Sequence, residues 1–223
     1  MRTIEISAAS LFQAGRWRVE IFTDDNSENI TSRWPHVRLS ELAEESSAAM
    51  APEDFPAEDF YYIGLENVEP VTGDPVDLRK RAKHEIKSRS KIFAADYVLY
   101  GRLRSYLRKV FLSTDEFSSG LCSTEFIVLK PNQNKILPAV LRALLASDGI
   151  AKQLARLQIG AALPRVSPSD FFRTTLPLPP LDVQHKMAKQ LTKLYAERRT
   201  LKARLDSIPQ EFDAIVSEHA LGA

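Results

Sequence analysis

Eleven lysines and arginines crowd into positions 79–110 (Arg79, Lys80, Arg81, Lys83, Lys87, Arg89, Lys91, Arg102, Arg104, Arg108, Lys109) against Glu85 and Asp96 alone, a net charge of +9. The whole chain carries only +1, because positions 1–78 hold 5 Lys and Arg against 16 Asp and Glu. A basic block inside a neutral chain is the pattern of a local anionic partner. Its cations divide by context. Arg79, Lys80, Arg81, Lys83, Lys87, Arg89 and Lys91 form a polar run suited to phosphates, which fix position on a nucleic acid but read no sequence. Arg102, Arg104 and Arg108 interleave with Tyr100, Leu103, Tyr106 and Leu107, and an arginine held at a base edge can pair in bidentate fashion with guanine O6 and N7. The competing reading is a solvated basic surface balanced by the acidic residues before it.

Catalytic chemistry has little support. The four histidines, His36, His84, His185 and His219, lack metal-ligand spacing. The lone Cys122 excludes an internal disulfide and a multi-cysteine zinc site, suits a reducing cytoplasm, and reads as a small buried residue before a strand. Gly160 stands alone, so no dinucleotide or phosphate-loop fingerprint forms. Glu85-Ile86-Lys87, with Asp74 or Asp77 upstream, matches an Asp…Glu-x-Lys nuclease pattern, but such short matches of common residues arise readily by chance. No cofactor site is expected on the chain.

The elements that must carry these residues are mixed. Strands are expected at 60–65, 97–100, 110–112 and 124–129, and 37–45 reads as a strand turning into a short helix. Helical spacing covers 136–157, with Pro138 in the first turn and Asp148-Gly149 expected to separate two helices, and 168–172 reads as a helical turn. Residues 46–59 and 66–77 read as loops, 115–120 as a turn, and 1–33 as an arm of unknown role. Strands and helices mix without βαβ alternation, which makes the fold class α+β. The length of 223 residues and a hydrophobic share of 44% allow one such domain plus an appendage. No apolar run is long enough to span a bilayer and the N-terminus lacks a secretory pattern, so a cytoplasmic location is expected.

LPLPPLDVQ, at 176–184, closes that domain. Its prolines cannot continue a helix or a central strand. From Gln184 a heptad pattern sets in. One row of core positions is Gln184, Leu191, Arg198, Leu205 and Phe212, the other Met187, Leu194, Leu201, Ile208 and Ile215. The stripe is narrow and needs a partner helix. Met187, Leu191, Leu194, Arg198, Leu201 and Leu205 are the expected dimerisation residues, with Arg198 restricting register. Pro209 is expected to break the helix after about residue 205, with Ser207 capping a second short helix over 210–219 and Gln210 as its capping-box partner. The alternative is a helix lying on its own domain.

Five stretches, taken together, resemble the specificity subunit of type I restriction–modification enzymes: YYIGLENVEP (61–70), ADYVLYGRLRSYLRKV (95–110), CSTEFIVLKPN (122–132), LPLPPLDVQHKMA (176–188) and SIPQEFDAIVSEHALG (207–222). The resemblance spans 60–222. It departs at Ser105, where the family often has proline, and at Arg108, where it often has asparagine. It implies a DNA target recognition domain over 34–178 and a coiled-coil spacer helix over 179–223. That helix would pair antiparallel and dock modification subunits, and S-adenosylmethionine would bind those methylase partners rather than this chain. Glu66 and Glu125 recur in family domains that read different sequences, which implies structural or docking roles. One domain and one helix, where the family has two of each, imply a half-subunit that forms a homodimer. The expected partners are thus double-stranded DNA, a second copy, methyltransferase subunits and, where restriction accompanies modification in phage defence, a restriction or translocase subunit. A protein–protein adaptor without its own DNA reading is the competing function, and a nuclease-linked effector a third.

Overall fold

The computed structural model describes residues 32–160 and 162–221. All but the end of the expected arm at 1–33 lies outside the described residues. The domain begins and ends on one two-stranded ladder. Strand β1 (His36–Arg38) pairs antiparallel with β13 (Thr175–Pro177), and the Leu178 amide donates to the Pro35 carbonyl at 2.9 Å. The chain therefore enters and leaves the domain at neighbouring points.

From β1 the chain turns through a short helix, α1 (Leu39–Leu42), into β2 (Ala43–Glu45). With β7 (Val98–Gly101), β8 (Val110–Leu112) and β10 (Phe126–Pro131) this strand forms a four-stranded antiparallel sheet of order β2-β10-β7-β8. A second sheet of five strands has the order β3-β6-β9-β4-β5, from β3 (Ala49–Met50), β6 (Ser90–Ala94), β9 (Ser119–Cys122), β4 (Asp59–Ile63) and β5 (Lys80–Ala82). Its β4–β9 pair is parallel and the others are antiparallel.

Strand alternation divides the core in two. Val98, Tyr100, Val110, Ile127 and Leu129 point toward the helices, whereas Leu99, Phe111, Phe126 and Val128 point toward the five-stranded sheet, where they meet Ile63, Phe93 and Cys122. The four-stranded sheet is thus covered on both faces, which is why its strands read as unbroken apolar runs rather than as alternating ones. Helices α2 (Pro138–Leu145), α3 (Asp148–Arg156) and α4 (Pro168–Arg173) cover the first face through Leu141, Leu145, Ile150, Leu154 and Phe171.

The α+β class stands, and four local expectations need correction. Residues 119–122 form β9, the middle strand of the larger sheet, which overlaps the turn expected over 115–120. Gly120 there sits against the Tyr61 carbonyl, 2.3 Å from where a Cβ would lie, so the strand carries glycine and polar residues instead of a β-rich signature. The segment expected as loop at 46–59 contributes the short edge strand β3. Asp148-Gly149 opens α3 instead of separating two helices. The break falls one step earlier, at Ala146-Ser147, with Ser147 in the cap position. Finally, the tail does not break at Pro209. Helix α5 runs unbroken from Leu181 to Val216 and ends in a π-helical turn, Ser217–Leu221.

Proline costs that helix the donor toward the Leu205 carbonyl, yet the helix runs on past it. Ser207 is no cap: its hydroxyl donates back to the Arg204 carbonyl at 2.9 Å, and an Arg204–Glu211 ion pair spans the point.

Helix α5 has two parts. Gln184 is fully buried; its amide donates to the carbonyls of Lys135 and Pro179 and its oxygen accepts from the Leu137 amide, all at 2.9 Å. Met187 and Ala188 pack on the helical core, and Tyr195 lies over the Arg142 guanidinium at 4.2 Å. Beyond residue 202 the helix leaves the domain, and Leu205, Ile208, Phe212 and Ile215 are exposed.

Candidate nucleic-acid interface

The basic block is carried by two structures. Residues 79–91 form edge strand β5, a 3-10 turn (Lys83–Glu85) and the start of β6, on the five-stranded sheet. Residues 102–109 form the β7–β8 loop of the other sheet. The segment 64–78 joins them: the Lys109 ammonium donates to the Leu65 carbonyl at 2.7 Å, the Val71 amide donates to the Arg108 carbonyl at 3.1 Å, and Glu66, Asp77, Arg79 and Arg81 line one open cleft.

Pairing removes some of the eleven cations from the candidate surface. Arg81 binds Glu85 at 2.9 Å, Lys83 binds Glu58 and Lys91 binds Glu45 at 3.2 Å, Arg102 lies 3.6 Å from Glu125, and Arg108 lies 3.8 Å from Asp148. Glu45 and Glu58 come from the acidic first third, so the balanced-surface reading holds for those two lysines. Arg79, Lys80, Lys87, Arg89 and Arg104 have no carboxylate partner among the described residues. All five are exposed, although the Lys80 ammonium sits 5.9 Å from the Tyr61 ring and Arg89 donates to the Ala49 carbonyl.

The β7–β8 loop is tightly built. Arg104 (φ 51°) and Arg108 (φ 53°) both hold left-handed backbone, costly for arginine, on either side of a 3-10 turn (Ser105–Leu107) that exposes Tyr106. Hydrogen bonds over-determine it. Arg104 donates its amide to the Pro164 carbonyl, Val166 donates to the Arg102 carbonyl, and the Gln158 side chain donates to the Ser105 hydroxyl. Those partners lie in the hairpin of β11 (Gln158–Ile159) and β12 (Arg165–Val166). Arg165 in turn grips Glu125 with Nε at 2.9 Å and Nη2 at 2.7 Å. Its hydrogen bonds, outweighing the opposing effect of burial, hold the Glu125 carboxyl below its ordinary value of 4.5, with Arg102 adding to the shift. Glu125 is therefore occupied in joining loops. Nearby, burial and then the Glu66 carboxylate push the Tyr62 phenol up.

Two acidic residues of the nuclease pattern have other partners. Glu85 accepts from Arg81 and from the Ala82 amide, while Asp74 is buried against the tail helix, its Oδ2 2.5 Å from Arg198 Nη1. Burial pushes the Cys122 thiol up to about 12. Among the described residues no group of three or more histidine, cysteine or acidic side chains could hold a metal ion, and no helix is long and apolar enough to cross a membrane.

Of the expected dimerisation residues, Met187 and Leu191 face their own domain and Arg198 is held by Asp74 and Glu69, whereas Leu194, Leu201 and Leu205 are exposed. The sequence reading missed Arg165, Glu69 and the structural use of Asp74. Only the Thr72-Gly73-Asp74-Pro75 turn hinted at a fixed position.

The type I restriction modification DNA specificity domain matches residues 32–210, most of the chain. The chain belongs to this family. It is similar to the type I restriction enzyme EcoDI specificity subunit of Escherichia coli, 21% identical over 198 residues, covering 89% of this chain and 43% of that protein. Among solved structures it resembles the HsdS subunit from Thermoanaerobacter tengcongensis, with 27% identity and a TM-score of 0.65 over 84% of this chain and 48% of that one. A chain from a type I R-M system studied for complex assembly and conformational transition matches at 26% and 0.65, covering 86% and 50%. The chain spans about half the length of these specificity-domain relatives.

Proposed function

We propose that this chain is a non-catalytic DNA specificity subunit that reads one half of a bipartite target and brings methyltransferase subunits to it. What carries the reading is the combination of the family match with a rigid loop that presents Arg104 and Tyr106 beside a sheet edge with Arg79, Lys80, Lys87 and Arg89 unpaired by carboxylates. The paired cations, Arg81, Lys83, Lys91, Arg102 and Arg108, then shape the surface more than they contact DNA. The seam Leu194, Leu201, Leu205, Ile208, Phe212 and Ile215 supports self-association through the tail, with an antiparallel helix pair holding two domains apart. Two-fold symmetry would make the target palindromic with a fixed gap. S-adenosylmethionine belongs in this scheme to the methylase partners, and the assembly works in a bacterial or archaeal cytoplasm.

The test is the salt dependence of binding to duplex DNA, by fluorescence anisotropy with and without methyltransferase subunits. The isolated chain should bind weakly, with a slope that falls by roughly 3 to 4 when Arg79, Lys87, Arg89 and Arg104 are changed together to Gln, since each phosphate contact contributes about 0.9. An unchanged slope in the folded variant would return the protein to the adaptor reading.

A further inference from the structure

Helix α5 lies along its domain from Gln184 to Lys202, and the outer end of that contact is built from charges. Near its start Gln184, Met187 and Ala188 are packed or fully hydrogen-bonded. About four turns later Arg198 reaches Glu69 at 2.7 Å as well as Asp74, Arg199 reaches Asp74 at 3.3 Å, and Lys202 reaches Glu69 at 3.5 Å. Leu191 and Tyr195 continue the hold along the domain, and the charged contacts are its last point before the helix runs free.

The carboxylates of this outer contact are themselves fixed. Asp74 is only 7% exposed in its side chain. Its carbonyl accepts from the Glu69 amide at 2.9 Å, and the Gly73 amide donates to the Glu69 carbonyl at 3.0 Å. Thr72 donates its hydroxyl to the Glu69 carboxylate at 2.9 Å. Gly73 has φ 64°, and a Cβ there would lie 1.9 Å from the Val110 carbonyl and 2.9 Å from Arg142 Nη2, so the loop is pressed onto β8 with no room to shift. Two carboxylates thus face Arg142, Arg198, Arg199 and Lys202. Removing either carboxylate leaves like charges opposed across the junction, Arg142 among them buried. The same loop donates the Val71 amide to the Arg108 carbonyl, so the direction of the helix is referenced to the loop that carries Arg104 and Arg108.

We propose that Asp74, with Glu69, acts as a positioning pair that sets the direction of the tail helix relative to the reading loop, and thereby the gap between the two half-sites. The second part rests on the specificity reading above. Leverage enlarges the effect: from Tyr195 to Ile215 the helix runs roughly 30 Å at about 1.5 Å per residue, so a tilt of about 10° moves its far end by about 5 Å. That is about one to two base pairs at ~3.4 Å each.

Spin labels at Lys130→Cys and Asp213→Cys, both exposed, would report the direction by pulsed electron spin resonance. The labelled chain is diluted with unlabelled chain so that only distances within one molecule are read, and buried Cys122 stays unlabelled. The parent should give one narrow distance. Arg198→Gln, on the helix surface, and Asp74→Asn with Glu69→Gln should spread that distance over about 5 Å or more. A distance as narrow as the parent's in folded Arg198→Gln would overturn the proposal. In cells carrying the methyltransferase subunits, methylated-site maps should show unchanged half-sites with several gaps for Arg198→Gln where the parent shows one. A single gap retained would overturn the link to spacing. A parent map without bipartite sites would sink the specificity reading itself, which the spin-label distances do not depend on.

Discussion

Glu125 holds Arg165 through paired hydrogen bonds and keeps Arg102 close, so one carboxylate joins β10 to the two loops that flank the candidate interface. Glu125→Gln should cost about 1–2 kcal/mol, because a charge-assisted pair becomes a neutral one. The folded pKa is depressed, so this contribution is present above about pH 4.5 and is lost as pH falls through the lower folded value. The stability difference between parent and variant should therefore be constant from pH 6 to 8 and shrink below about pH 4.5. Urea unfolding at several pH values measures it, and a gap that persists at low pH would remove the ion pair as the cause. The basic candidates were visible in the sequence because they cluster along the chain. Arg165 was not, since its partner lies 40 residues away, and Asp74 lies 124 residues from Arg198. Pairing that distant leaves no local pattern, so the sequence showed which cations exist but not which are already satisfied.

Helix α5 shows the same limit at the scale of an element. Its heptads were legible, and so was the proline elbow that opens it, but the periodicity belongs to two different contacts. Positions 184–202 use their inner face against the domain, while Leu201, Leu205 and Phe212, at 59%, 66% and 65% exposure, lie beyond its cover or to one side. Leu201→Asp with Leu205→Asp should convert the proposed dimer to a monomer in light scattering while leaving the domain folded, since each leucine contributes ~1.5–3 kcal/mol on burial. A surviving dimer would move the interface elsewhere. Proline inside a helix costs about 3 kcal/mol, which is why the sequence predicts a break at Pro209; the helix nevertheless continues, with the Arg204–Glu211 pair spanning the point. Pro209→Ala should raise tail helicity by circular dichroism and tighten self-association, by up to about 3 kcal/mol. Looser association would mean that a bend at Pro209 serves the pairing.

For the whole molecule, the proposed function makes the length of the free helix a dimension of the target. Residues 191–197 lie against the domain, so a shortening that tests the ruler must fall beyond Lys202. Deleting 203–209 keeps the seam in phase and removes ~10 Å. The gap between half-sites should shrink by roughly three base pairs with half-site sequences unchanged, as read from methylated-site maps. An unchanged gap in an active variant would show that the helix does not set it. The α+β class and most strands of the smaller sheet were legible, because strands covered on both faces are continuously apolar. Of the larger sheet β4 was legible at 60–65 and the rest was not, because β3 and β5 are short edges and β9 carries glycine. That strand order also has a consequence in time. The middle strands of both sheets, β9 and β10, are consecutive in the chain, and neither sheet can close until residues 119–131 have left the ribosome. A nascent chain stopped before them exposes unpaired edges of β4, β6 and β7 and should be captured by chaperones or cleaved by proteases. Once they emerge, both sheets can form in one step, and the β1–β13 ladder seals the domain just before the helix that will lie across it is made.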